Sequence, residues 1–200
     1  MNIGILGGSF DPIHNGHIHM AECAYREFQL EEVWLIPTGH SPNKDEGSMT
    51  EAFHRFHMCE IAAGQFPWLQ ANSLEIESCE KSYTYRTLEK LTKRYPLYHF
   101  FFIMGADSLD YFEKWVHPEI IAQLCTILVI PRNASPASEL AAKAKEIESI
   151  FPCDIRMVSC SQYPVSSTAV RQNLKNGKYN DYELLPEVFY YIQKNHLYGT

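Results

Sequence analysis

Several things are missing from this chain of 200 residues, and each absence removes a class of function. It carries six cysteines, but no two are spaced Cys-x-x-Cys, so neither a zinc knuckle nor a thioredoxin-type motif is present. With this much core-forming sequence a secreted disulfide framework is not expected, and the cysteines read as small buried hydrophobes. There is no basic run, and 17 basic against 24 acidic residues give a net charge of −7. Nucleic-acid and membrane-surface binding, which need a positive face, are therefore not expected, although a small anion feels only its local field. No stretch of 18 uncharged apolar residues occurs, so no membrane-spanning helix is expected. The beginning, MNIGILGGSF, lacks the basic n-region of a signal peptide, and the expected location is the cytoplasm.

What is present is a core. Apolar residues make up 46% and aromatics 13%, enough for a packed domain without staples. Apolar runs at Asn2–Leu6, Val33–Ile36, Leu69–Ile76, His99–Met104, Thr126–Ile130 and Asp154–Val158 read as strands covered on both faces. Helix candidates lie between them at Gly16–Phe28, Glu51–Ala63, Thr84–Arg94, Pro118–Leu124 and Ser138–Ser149, with Thr50 fitting an N-cap for the second. Arg55, in that second helix, reads as a solvated or salt-bridged residue. The alternation predicts an α/β fold: a doubly wound, mostly parallel, Rossmann-like sheet with helices on both faces. Beyond it, Ser166–Lys175 is a short helix ended by Gly177, and Pro186 opens a last helix. We read a single domain, 1–200, with an α/β core over 1–160 and a helical C-terminal part over 161–200. The longest irregular piece is Thr38–Ser48, a candidate binding loop.

Two segments carry chemistry. The first, Gly7-Gly8-Ser9-Phe10-Asp11-Pro12-Ile13-His14-Asn15-Gly16-His17-Ile18-His19, follows the first strand and opens the first helix. It is not the G-x-G-x-x-G dinucleotide fingerprint, and no Gly-Lys-Ser/Thr follows to make a Walker A loop. Its glycines allow close backbone approach, and His14 and His17, three residues apart, project toward the strand end. They could satisfy core hydrogen bonds, bind a transition metal together with His19, or donate to phosphate oxygens. A glycine turn, a helix N-terminus and two imidazoles suit an anion better than a cation, and no carboxylate or cysteine stands at metal-ligand spacing. No bound metal is expected from the protein's own side chains.

The second segment, Val165-Ser166-Ser167-Thr168-Ala169-Val170-Arg171, offers hydroxyls and unpaired amides at the positive end of a helix, with an arginine one turn later. Alone it would be an over-supplied cap. Paired with the first segment it suggests two helix N-termini converging on one polyphosphate.

These two segments resemble the His-x-Gly-His signature and the second phosphate motif of the nucleotidyltransferase superfamily. Ser82-Tyr83-Thr84-Tyr85-Arg86-Thr87, Gly105-Ala106-Asp107 and Lys114-Trp115 are similar to the bacterial nicotinate-nucleotide adenylyltransferases. That resemblance implies adenylyl transfer from ATP to nicotinate mononucleotide, giving deamido-NAD and diphosphate by direct in-line attack without a covalent intermediate. It implies that Gly7, Gly8, Ser9, Phe10, His14, His17, Ser166, Ser167, Thr168 and Arg171 hold ATP. Tyr83, Thr84, Gly105, Asp107 and Trp115 would hold the mononucleotide, with Lys44 and Arg132 neutralising phosphate. His17, His14, Arg171 and Lys44 would serve catalysis. Where the family commonly has Pro-Pro-His-Lys, this chain has Ser41-Pro42-Asn43-Lys44, so asparagine replaces an imidazole. A phosphate monoester nucleophile is already ionised near neutrality, so no general base is required. Mg²⁺ would arrive with ATP. The alternatives are the same transfer to nicotinamide mononucleotide or another phosphorylated acceptor, a nucleotide-binding sensor without chemistry, and a metal hydrolase. Self-association is left open.

Overall fold

A computed structural model describes residues 1–41, 47, 49–131 and 137–200. Six strands form one sheet: β1 (Asn2–Gly8), β2 (Glu32–Pro37), β3 (Leu69–Ala71), β4 (His99–Gly105), β5 (Thr126–Ile130) and β6 (Ile155–Met157), in the order β3-β2-β1-β4-β5-β6. The sheet is parallel, and the first two strand–helix crossovers step outward one way before the order reverses between β1 and β4. In doubly wound folds ligands bind at the strand carboxyl ends beside such a reversal. Eight helices accompany it among the described residues: α1 (Asn15–Glu27), α2 (Ala52–Ala63), α3 (Thr84–Arg94), α4 (Ala106–Leu109), α5 (Pro118–Leu124), α6 (Ala137–Ile150), α7 (Ser167–Lys175) and α8 (Pro186–Lys194). The expected α/β architecture is the observed one.

Chain packing defines two compact units, each made of three pieces. One contains Met1–Gly7, Met20–Trp34 and Tyr83–Gln162. Its centre is the parallel pairing of β1 with β4, β4 with β5 and β5 with β6. Ile3, Ile5, Phe100 to Met104 and Ile127 to Ile130 are buried there, as continuous apolar strands should be. A Cβ on Gly4 would sit 2.9 Å from Leu30 and 3.0 Å from Val33, so any side chain there would force those methyl groups to shift. α3 contributes Thr87, Leu88 and Leu91, the buried face of its 3.6-residue period.

The other unit contains Gly8–His19, Leu35–Ser82 and Tyr163–Thr200. Here α2 packs on β3 and α8, burying Met58, Cys59, Ala62, Leu69, Val188 and Ile192.

Some expectations are corrected. The third strand stops at Ala71 rather than Ile76, because Asn72 Oδ1 accepts the Leu74 amide and Glu77 N bonds Ser73 O, turning the chain. Glu51, not Thr50, is the N-cap residue of α2 and makes no side-chain cap. Thr50 instead offers its carbonyl to Arg55 Nε at 2.8 Å. The short α4 and the 3₁₀ turn Phe112–Lys114 were not expected, being too brief to show a period. Cys23 and Cys160, read as independent hydrophobes, are joined as a disulfide across a sequence separation of 137. Gly177 with φ +67° ends α7, and Pro186 opens α8, as expected.

Candidate active site

The first motif turns sharply as β1 ends. Phe10 is buried at φ +46°, the Asp11–Pro12 peptide is cis, and α1 begins at Asn15. His14 is 2% exposed, and its ring stacks on that of His17 at 3.7 Å between centroids. A Cβ on Gly16 would press to 3.1 Å from the His14 ring, so the glycine between the histidines leaves that ring its room. The His14 amide donates to His17 Nδ1 at 3.3 Å. An Nδ1 that accepts leaves the neutral ring's proton on Nε2, so His17 is set as a donor. Phe10 meets that ring edge-on at 5.0 Å. His14 is thus a buried support, and His17, half-buried, is the donor.

The second motif reaches back to the first. Ser166 caps α7, its Oγ accepting the Ala169 amide at 3.2 Å. Ser167 Oγ donates to the Pro12 carbonyl at 3.0 Å. Arg171 Nη1 donates to the Asp11 carbonyl at 2.6 Å and lies 3.9 Å from the Asp11 carboxylate, while Nη2 donates to Thr168 Oγ1 at 3.4 Å. Two segments about 155 residues apart in sequence are therefore bonded through the Asp11–Pro12 carbonyls. No acidic side chain stands in the first turn of α7 itself, where it would oppose an anion.

The residues expected to receive the second substrate belong to the other unit. Tyr83 is the N-cap residue of α3 and makes no side-chain cap, and Thr84 is the first helical residue. Arg86 Nε donates to Tyr85 Oη at 2.8 Å, with its guanidinium 5.6 Å from the Tyr83 ring centroid. Gly105 ends β4 and leads directly into α4, where Asp107 is exposed in the first turn. Trp115 follows the 3₁₀ turn and rests on Phe102 (6.0 Å) and Phe112 (5.8 Å), one side against core and the rest half-exposed. Lys44 and Arg132, assigned to phosphate from the sequence, lie outside the described residues.

Residues 5–173 match the Cytidylyltransferase-like family. A "probable nicotinate-nucleotide adenylyltransferase" of Lachnoclostridium phytofermentans is 34% identical over 98% of each chain. Its namesake in Clostridium botulinum is 35% identical over 99% of each. The chain belongs to the nicotinate-nucleotide adenylyltransferase family. Within that family, the solved Plasmodium falciparum nicotinic acid mononucleotide adenylyltransferase complexed with NaAD superimposes with a TM-score of 0.78 at 25% identity, covering 98% of this chain and 97% of that one. The same enzyme complexed with APC gives 0.76 at 23% identity and agrees in fold.

Sequence reasoning missed two residues that hold this family member's first motif in place. Arg55 is 1% exposed rather than solvated. Its guanidinium donates to the carbonyls of Ser9 (2.7 Å), Thr38 (2.6 Å), Gly39 (3.4 Å) and Thr50 (2.8 Å). Burial pulls its pKa below the usual arginine value, opposed mainly by the Asp11 charge. The signal was present: Arg55, Met58, Cys59 and Ala62 share one helical face, and three of them are apolar. Tyr198 donates to Asp11 Oδ1 at 2.7 Å, and burial with that carboxylate raises its pKa. Nothing in the local sequence marks it, since the contact spans 187 residues. Among the described residues, no helix is long and apolar enough to cross a membrane.

Proposed function

We propose that this protein transfers the adenylyl group of ATP to nicotinate mononucleotide, releasing diphosphate and forming deamido-NAD for NAD biosynthesis. The single observation that carries this reading is near-full-length similarity, 34–35%, to relatives bearing that name. The bonding of the two phosphate motifs at Asp11–Pro12 supports it.

In this reading the substrate's own phosphate oxygen attacks the α-phosphorus in line and diphosphate leaves. The barrier lies in bringing two polyanions together, so positioning and electrostatics supply most of the catalysis. His17 Nε2–H is the donor to α-phosphate oxygens, held at its angle by the His14 amide and ring. The amides of the α7 first turn and the outer face of Arg171 meet the leaving diphosphate, with Lys44 in support. Thr84, the uncapped start of α3 and the Trp115 turn receive the nicotinate carboxylate, and Asp107 a ribose hydroxyl. Mg²⁺ would come with the triphosphate rather than with a cage of protein carboxylates, and would supply charge neutralisation. The Asp11 carboxylate accepts from Tyr198 and fits a structural role.

A diphosphate-release assay with ATP and a panel of mononucleotides tests the reading. Turnover with nicotinate mononucleotide well above nicotinamide mononucleotide is expected. Equal rates would move the protein to the broader acceptor reading, and no release with any acceptor would leave a nucleotide sensor.

A further inference from the structure

Cys23 lies in the second half of α1, and Cys160 follows β6, six residues ahead of the Ser166 cap. Their Cα atoms are 5.6 Å apart, at the common separation for a bridged pair. The contact is not isolated. Glu27, four residues after Cys23 and so on the same face of α1, accepts from the Ser159 amide at 2.6 Å and the Ser159 hydroxyl at 3.3 Å. One face of α1 thus grips residues 159 and 160 at two points, one covalent and one charge-assisted. The second grip involves neither sulfur, so it does not depend on the disulfide bond. Three of the four other thiols are poor competitors. Cys59 is buried with its thiol pushed well up, and burial pushes Cys125 up to about 12 and Cys153 to about 11.

We propose that Cys23 and Cys160 are a reversible dithiol–disulfide site that exchanges with low-molecular-weight disulfides. One thiolate attacks such a disulfide, forming a mixed disulfide and expelling one small thiolate, which takes up a proton. The second protein thiolate then attacks the mixed disulfide at the protein sulfur and expels the second small thiolate. Two protein thiols are oxidised and one small disulfide is reduced to two thiols. The closed form fixes the stretch that feeds α7, and opening it loosens the approach to the second phosphate motif.

The test uses the full chain carrying Cys79→Ser, so that the exposed thiol does not intervene, incubated with glutathione disulfide and then with dithiothreitol. Non-reducing peptide mapping is expected to show Cys23 linked to Cys160, with two thiols fewer. The melting temperature should rise on the order of 10 °C, because the closed loop is long, and should fall back on reduction. Adding Cys160→Ser should abolish both changes. Resting on the proposed adenylyl transfer, the KM for ATP should rise several-fold on reduction with kcat less affected. Two unlinked glutathione adducts, or a linked pair with no shift in melting temperature, would overturn the site. An equivalent of zinc lost with His19→Ala would also overturn it in favour of a thiolate metal site, since His19 stands one turn before Cys23 on α1. Absence of diphosphate release in both redox states would count against the function alone, because the linked peptide is read independently.

Discussion

The starts of α7 and α3 are both helix N-termini assigned to anions, yet they are built in opposite ways. At α7 the polar side chains are occupied: Ser166 caps, Ser167 holds Pro12 and Arg171 holds Asp11. At α3 there is no side-chain cap and no acidic residue in the first turn. A polyphosphate needs its contacts fixed relative to one another before it arrives, and in the proposed function the bonding of α7 to the first motif would do this. A single carboxylate needs only a helix dipole end and one or two donors, which α3 would supply in the proposed function. One end is a braced socket and the other an open one.

Arg55→Met should break the brace outright, having the largest expected effect. It leaves four carbonyls without their donor, a loss of about 3–5 kcal/mol. Urea unfolding should show a lower midpoint, and an unchanged midpoint would mean that water replaces the guanidinium at no cost. His17→Ala comes next. It should keep the melting temperature within a few degrees while lowering kcat roughly 10²–10³-fold, the usual cost of one preorganised donor. Near-normal diphosphate release would remove His17 from the transition state. Arg171→Ala should cost about 10²-fold in kcat/KM for ATP together with a measurable fall in stability, because its guanidinium holds Asp11 and, in the proposed function, the phosphates as well. Arg171→Lys, a point charge without the fork, should recover only part of either loss.

The fold was legible because buried strands are continuous apolar runs and helices carry a 3.6-residue period; β5 and α3 match their expected bounds residue for residue. The two polar segments stood out because Gly, His, Ser and Arg in those orders serve few ends other than the proposed one. What stayed hidden was the bracing. Arg55 was misread by its charge although its helical face was apolar, and the Tyr198–Asp11 bond joins residues with no local relation. The Cys23–Cys160 pairing was equally invisible, since spacing along a chain cannot reveal a contact made across 137 residues. Side-chain chemistry is written locally, while its support is written in tertiary contacts.

At the open socket, Thr84→Val should leave stability nearly unchanged and reduce the preference for nicotinate over nicotinamide mononucleotide about tenfold, some 1.4 kcal/mol, the scale of one hydrogen bond to a charged group. Competition between the two mononucleotides reads this directly, and an unmoved preference would pass selection to the Trp115 turn. The smallest effect belongs to Ser166, and it separates bracing from binding most cleanly. Ser166→Ala removes the cap at a cost of about 1 kcal/mol in the denaturant midpoint. Ser166→Asp replaces the cap, because aspartate accepts the Ala169 amide as well as serine does, so stability should return. The same carboxylate faces any triphosphate at that helix end, so the KM for ATP should rise further than in Ser166→Ala even as the fold recovers. If stability and ATP affinity instead recover together, the α7 hydroxyls serve only the helix, and the phosphates must be held by His17 and Arg171 without it.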